Sequence, residues 1–295
     1  MGAACAAVLA LAVVPPAAEA SATAPCTTWA GSVTSAGEHT FKAINATAPP
    51  SLTRSSTTAG VYGPGQVRLA THFEDYPKSG AGSTRSGYVV IGDVLYQSSY
   101  AVDGADKVEA PGPRLRRIGS GWSNFSLIEV APYNSGAVAP RTELYGLRKD
   151  GLLFRWHLVD NGWRSTGSYP GFSAVKTMTL ISKQPTYDTF LANTRGGALY
   201  TVRIPVTSPM KPVVNPVRTK TWQVFETLTA TKCGNYGTLL LGIDKQTKTG
   251  HLYAVGHANG PATVIKGLGQ VSTTFPAPLD FRWTPPTFQD NLNGD

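Results

Sequence analysis

Aromatic residues recur along this chain at a spacing that demands a repeat architecture. Trp122-Ser123-Asn124-Phe125, Phe172-Ser173-Ala174-Val175 and Trp222-Gln223-Val224-Phe225 begin 50 residues apart. A strand, turn, strand pattern follows each marker. Leu144 to Leu147 leads through a turn at Gly151 to Leu152 to Trp156, and Phe190 to Asn193 leads through residues 194–197 to Leu199 to Val202. Leu240 to Ile243 repeats it with a longer polar turn ending at Gly250, and Tyr88 to Ile91 with Leu95 and Tyr96 makes a tighter copy. Glycine in these turns supplies the positive φ that a hairpin needs. A period near 50 residues is the length of one propeller blade.

One further step each way lands beside His72-Phe73 and beside Val271, so four periods fill residues 72–272. The flanking stretches, 21–71 and 273–295, together hold enough chain for one more blade. The expected fold is therefore all-β, a β-propeller of five four-stranded blades in which N- and C-terminal strands close one shared blade. Such closure protects the sheet edges. Residues 21–295 form this single domain, with a β-sandwich as the competing architecture. Composition agrees with strands and frequent turns: 31 Gly and 22 Pro punctuate short apolar runs.

Ala3 to Val14 is a continuous small and apolar run, followed by Pro15, Pro16 and Ala18-Glu19-Ala20. It reads as a signal peptide over residues 1–20, so the protein is expected to be secreted into the extracellular space. No later stretch approaches the ~20 apolar residues of a membrane helix, and no membrane span is expected. Removal of that leader takes Cys5 with it and leaves Cys26 and Cys233, an even pair in an oxidising compartment and hence an expected disulfide bond.

The formal charge of +8 favours acidic partners. Arg114, Arg116 and Arg117 form the one tight basic group, and without an aromatic platform beside it the reading is a solvated face, with no nucleic-acid partner. Catalytic signatures are missing from the sequence. There is no G-x-S-x-G elbow, the five histidines form no H-E-x-x-H, and many acids fall in hairpin turns, as Asp103, Asp106, Asp150 and Asp244 do. No metal set and no cofactor motif is present. Residues 290–295 place oxygen ligands around Gly294 but lack a distal glutamate, so they read as a frayed polar terminus.

The run Arg117-Ile118-Gly119-Ser120-Gly121-Trp122-Ser123-Asn124-Phe125, with Leu144-Tyr145-Gly146-Leu147 and Asp150-Gly151-Leu152-Leu153-Phe154, resembles the repeat of the tachylectin-2-like five-bladed propeller lectins. That repeat runs I-G-x-G-W-x-x-F, L-Y-x-V, D-G-x-L-Y. The match covers one copy well and two loosely, since Phe172 replaces the Trp in one and Thr221 replaces the preceding Gly in another. The resemblance implies a lectin whose pockets between blades bind N-acetylated amino sugars without catalysis.

Sugar rings present apolar C–H faces that stack on aromatic residues, while amides and carboxylates bond their hydroxyls. Trp156 and Trp163, with Arg155, Asp188 and Asn193, are the expected carbohydrate-binding residues, and packing between blades is their alternative role. Trp122 and Trp222, at a fixed period, read as core. The expected partner is an extracellular glycan or wall polysaccharide. Two other functions stay open: a polysaccharide hydrolase or lyase working in the propeller channel, and an extracellular protein-interaction scaffold.

Overall fold

A computed structural model describes residues 25–160, 162–285 and 292–295. The expected signal segment, 1–20, lies outside the described residues. The chain opens with β1 (Thr27–Val33), β2 (His39–Asn45) and β3 (Ser51–Thr58), which pair antiparallel in sequence. Then come β4 (Val67–Ala70), β5 (Phe73–Pro77), β6 (Ser83–Ile91), β7 (Val94–Val102) and β8 (Arg114–Ser120). Both β4 and β5 pair with the same edge of β6, so together they make one interrupted inner strand. Three regular four-stranded sheets follow: β9 (Phe125–Tyr133) to β10 (Arg141–Arg148), β11 (Leu153–Val159) and β12 (Gly162–Tyr169); β13 (Val175–Lys183) to β14 (Tyr187–Thr194), β15 (Leu199–Pro205) and β16 (Val213–Arg218); β17 (Thr227–Cys233) to β18 (Gly237–Asp244), β19 (Thr249–Val255) and β20 (Ile265–Thr274).

The last strand, β21 (Leu279–Thr284), completes the first sheet. It pairs antiparallel with β1, Ala30 opposite Arg282 and Val33 opposite Leu279. Blade I is therefore β21-β1-β2-β3, three strands from the N-terminal segment and one from the C-terminal segment. Blades II to V follow in chain order. The inner strands β4/β5, β9, β13, β17 and β21 each pack against the next around a closed circle. This is the five-bladed propeller expected from the repeat, closed through one composite blade.

Each blade is buried on both faces, which is why its middle strands do not alternate apolar and polar residues. Leu239, Leu240 and Leu241 are all fully buried, with Leu240 in the core shared with blade IV and its two neighbours in the core shared with blade I. Five apolar clusters occupy the five blade interfaces. The expected core residues Trp122 and Trp222 are buried in two of them.

The repeated marker proves to be a device for linking blades. In each linker an aromatic residue donates its N–H to the preceding hairpin turn: Tyr62 to Gly37, Trp122 to Asp93, Phe172 to Gly151, Trp222 to Gly197 and Phe275 to Lys248. The end members lie ten residues before and three after the positions extrapolated from the period, because the loops of blades I and V differ in length. The backbone outlives its glycine. Thr221 takes φ 90°, beside 95° at Gly121 and 100° at Gly171, so a side chain tolerates the strained region where its siblings need none.

Residues 292–295 are docked, which corrects their reading as a frayed end; residues 290 and 291 lie outside the described residues. Leu292 is buried in the core between blades III and IV, Gly294 donates its N–H to Ile181 O at 2.9 Å, and Ala258 donates to Gly294 O at 2.8 Å. The tail thereby ties blade IV to blade V.

Cys26 and Cys233 form the expected disulfide, tying the N-terminal strand of blade I to β17 across 207 residues of chain. A link over so long a loop removes much unfolded-state entropy. Cys233→Ser should cost about 2–5 kcal/mol, measured by denaturant unfolding; a loss under ~1 kcal/mol would show that strand pairing alone closes the ring.

His39 begins β2 inside a cage of Tyr62, Phe73, Tyr100, Phe281 and Trp283, its Nδ1 2.6 Å from the Tyr100 hydroxyl. Burial, helped by the Arg85 charge, lowers its pKa from 6.5 to about 3. The unfolded chain therefore takes up this proton before the folded one as pH falls. Stability should drop from pH 6.5 towards 3, by roughly 1.4 kcal/mol per pH unit once the unfolded histidine is charged. His39→Gln should flatten the Tm profile between pH 6.5 and 4.5; a parallel profile would assign acid lability to other groups.

Candidate functional site

The five inner strands enclose a cavity of about 130 Å3, lined in part by Glu129, Lys176, Glu226, Asp280 and Arg282. Its acids are engaged: Arg282 donates to Glu129 at 3.0 Å, Lys176 to Glu226 at 2.8 Å and Lys245 to Asp280. The channel has room for a handful of waters, not for a polysaccharide chain. Where the inner strands finish lies a mouth of about 430 Å3 lined by Tyr133, Lys183, Gln184, Lys232 and Asn293. The docked tail supplies part of its wall.

Glu74 and Pro132 line both this mouth and a cleft of about 200 Å3 between blades II and III. The cleft is built from β5, β6 and β7 on one side and from the ends of β9, β10 and β11 on the other. Strand alternation sends Glu74 and Tyr76 to the same side of β5, and the Tyr76 hydroxyl donates to Glu74 Oε2. Tyr88, two residues beyond Ser86 on β6, adds a second aromatic surface to the same wall and is set edge-on to Trp163 with ring centroids 5.5 Å apart. Gln97, Ser86 and Thr142 add amide and hydroxyl groups. Arg116 holds the Gln97 carboxamide oxygen at 2.8 Å. Burial, with Glu74 assisting, pushes the Tyr76 phenol well above its ordinary range, and burial also raises that of Tyr88. Both are neutral near pH 7. Beneath the cleft, His72 Nδ1 lies 3.9 Å from Glu74 Oε1, and His72 Nε2 lies 2.6 Å from Thr284 Oγ1.

The five residues singled out in the sequence lie at three different blade interfaces. Neighbours on one strand point to opposite faces, so Trp156 and Arg155 part company. Trp156 stacks on Phe154 with centroids 5.5 Å apart and packs on Trp122 between blades II and III. Arg155 is buried and donates to Thr166 Oγ1 at 2.8 Å and to the carbonyls of Pro205 and Thr207, clasping blade III to blade IV. Asp188 is buried beneath Arg141, which it binds through both oxygens at 2.8 and 2.9 Å, and it accepts the Tyr145 hydroxyl at 2.7 Å. Burial raises its pKa, and Arg141 limits the rise. Asn193 is buried and caps the carbonyls of Trp222 and Phe225 at 2.8 and 3.1 Å. None of the five lines the cleft; Trp163 reaches it through Tyr88, whose ring it meets edge-on.

Sequence reasoning did not single out Glu74, Tyr76, Tyr88 or Gln97. The available signal was the Glu74-Asp75-Tyr76 alternation beside an aromatic strand. It was hidden because the inner strand of blade II breaks after Ala70 and departs from the repeat.

No protein-family model and no curated sequence matches the chain. Among solved structures, a fucose-specific lectin from Aleuria aurantia superposes with a TM-score of 0.46 at 13% identity, covering 90% of this chain and 85% of that one. AofleA from Arthrobotrys oligospora gives 0.41 at 12%, covering 88% and 90%. The SapL1 lectin in complex with alpha methyl fucoside gives 0.40 at 9%, covering 87% and 98%. Superpositions this loose leave the fold to rest on the chain's own sheet topology and carry nothing about its ligand.

Asp188→Ala removes the carboxylate from a buried guanidinium and a buried phenol together. It should cost about 3–5 kcal/mol, read by urea denaturation. A loss below ~1 kcal/mol would free Asp188 from its role as a tie between blades III and IV.

Proposed function

We propose that the protein is a secreted, carbohydrate-binding propeller of lectin type that seats one sugar ring in the cleft between blades II and III. The observation that carries this reading is the cleft's chemistry. Two neutral tyrosines, one carboxylate, one amide and two hydroxyls surround a volume below the ~300 Å3 of ordinary drug-sized pockets and suited to a single pyranose. Tyr76, half exposed, offers an apolar face for sugar C–H groups, while Glu74 and Gln97 bond hydroxyls or an N-acetyl group. Continuity with the mouth lets an attached glycan run past Tyr133, Lys183 and Lys232. The resemblance of the repeat to tachylectin-2-like lectins supports the same class and points to N-acetylated amino sugars. The leader-like segment 1–20 and the disulfide support export, with Trp163 retained as the ring that orients Tyr88.

A glycan array supplemented with purified wall polymers tests the reading. Wild-type protein should bind a restricted glycan set. Tyr76→Ala and Glu74→Gln, both partly exposed positions, should each weaken binding about tenfold, equivalent to ~1.4 kcal/mol, with Tm unchanged. Binding that is unaffected by either variant would place the sugar elsewhere, and no binding above background would sink the proposal. The enzyme reading keeps one specific observation, the His72 and Glu74 pair in the cleft. Reducing ends released from a bound polysaccharide by wild type but not by Glu74→Gln would favour it.

A further inference from the structure

The three regular blades are built to one register, so their side chains can be compared place by place. Gly146, Ala192 and Gly242 face Ile128, Met178 and Leu228 of their inner strands, and Leu144, Phe190 and Leu240 face Trp156, Val202 and Tyr253 of their third strands. Pairing, rather than sequence similarity, makes Tyr253 the counterpart of Trp156, because the turn in blade V is one residue longer.

At the blade face nearest these hairpin turns, blades III and V fill the same place with their own rings. In blade III, Trp122 packs on Trp156 and Phe125 with centroids 5.0 and 4.7 Å apart. In blade V, Trp222 packs on Tyr253 and Phe225 at 4.7 and 5.5 Å. Blade IV carries Phe172, Val202 and Val175 at those three places, each smaller than its siblings. The result is a cavity of about 350 Å3 between Tyr169, Pro170, Phe172, Tyr200, Val202 and Val214, on the side of the ring opposite the mouth. Tyr169 and Val214 at its rim are exposed. Its wall is mostly apolar, which suits an apolar ring better than a free sugar or an ion.

We infer that this cavity is a second binding site, one that takes the planar aromatic ring of a small molecule in the place where the sibling blades hold their own indole and phenol rings. The space left by the smaller Phe172, Val175 and Val202 is the space that rings occupy in the sibling blades, so it is sized for a flat ring and not for a flexible alkyl chain. The site is independent of the proposed sugar cleft, and a free aryl compound or the aryl substituent of a glycoside presents the same ring to it.

Indole is the probe, titrated into the full folded chain by calorimetry and by ligand-observed saturation-transfer NMR. Saturable binding is expected. Val202→Trp, which installs the blade III side chain, should weaken it at least tenfold. Should that variant fail to fold by circular dichroism, Val214→Arg at the exposed rim should give the same loss. Absence of saturable binding to wild type, or unchanged binding in a folded variant, overturns the site. Decanoate competing as strongly as indole overturns its preference for a ring.

Discussion

Everything in this molecule depends on four residue pairs between β21 and β1. A propeller blade cannot bury both faces unless its neighbours on each side are present, and the circle is complete only because the C-terminal strand enters a sheet begun by the N-terminal segment. Backbone pairing there leaves no free inner edge on blade I, and the parallel contact of Trp283 with Phe73 carries main-chain pairing on into blade II. Side chains reinforce the joint. The His39 cage gathers rings from both ends of the chain, Arg282 reaches Glu129 across the channel, and the disulfide holds blade I to blade V. The docked tail adds a tie between blades IV and V.

Polar groups buried at the interfaces serve this same end. Arg155, Asp188 with Arg141, and Asn193 each satisfy backbone or side-chain partners on an adjacent blade or linker, where an unpaired group would cost its full desolvation. They fix the rotation of one blade on the next. Residues that look like ligand contacts in sequence, because they are polar and sit beside aromatics, are here the hydrogen-bonded fasteners of an otherwise apolar interface.

Both candidate sites in this ring lie at departures from the repeat. The cleft between blades II and III exists where the inner strand is interrupted between Ala70 and Phe73, which turns Glu74 and Tyr76 towards the gap. The aromatic cavity of blade IV exists where three large rings have become smaller side chains. Both features break the fivefold pattern, and each does so at a different interface and on a different face of the ring.

The repeat period, the turn glycines and the leftover lengths at each end were sufficient to specify five four-stranded blades and their composite closure, because those properties follow from local strand and turn chemistry summed along the chain. Parity of cysteines identified the disulfide. Which side chains face a common gap was not legible. That depends on strand register and on which face of a two-sided sheet meets which neighbour, so adjacent Arg155 and Trp156 look alike as site residues in sequence and lie at different interfaces in space. Nor could the period place Glu74, Tyr88 and Gln97 together, since a break in one inner strand and the packing of two blades bring them within one cleft. Local physics determined the blades; their mutual packing decided where a ligand could sit.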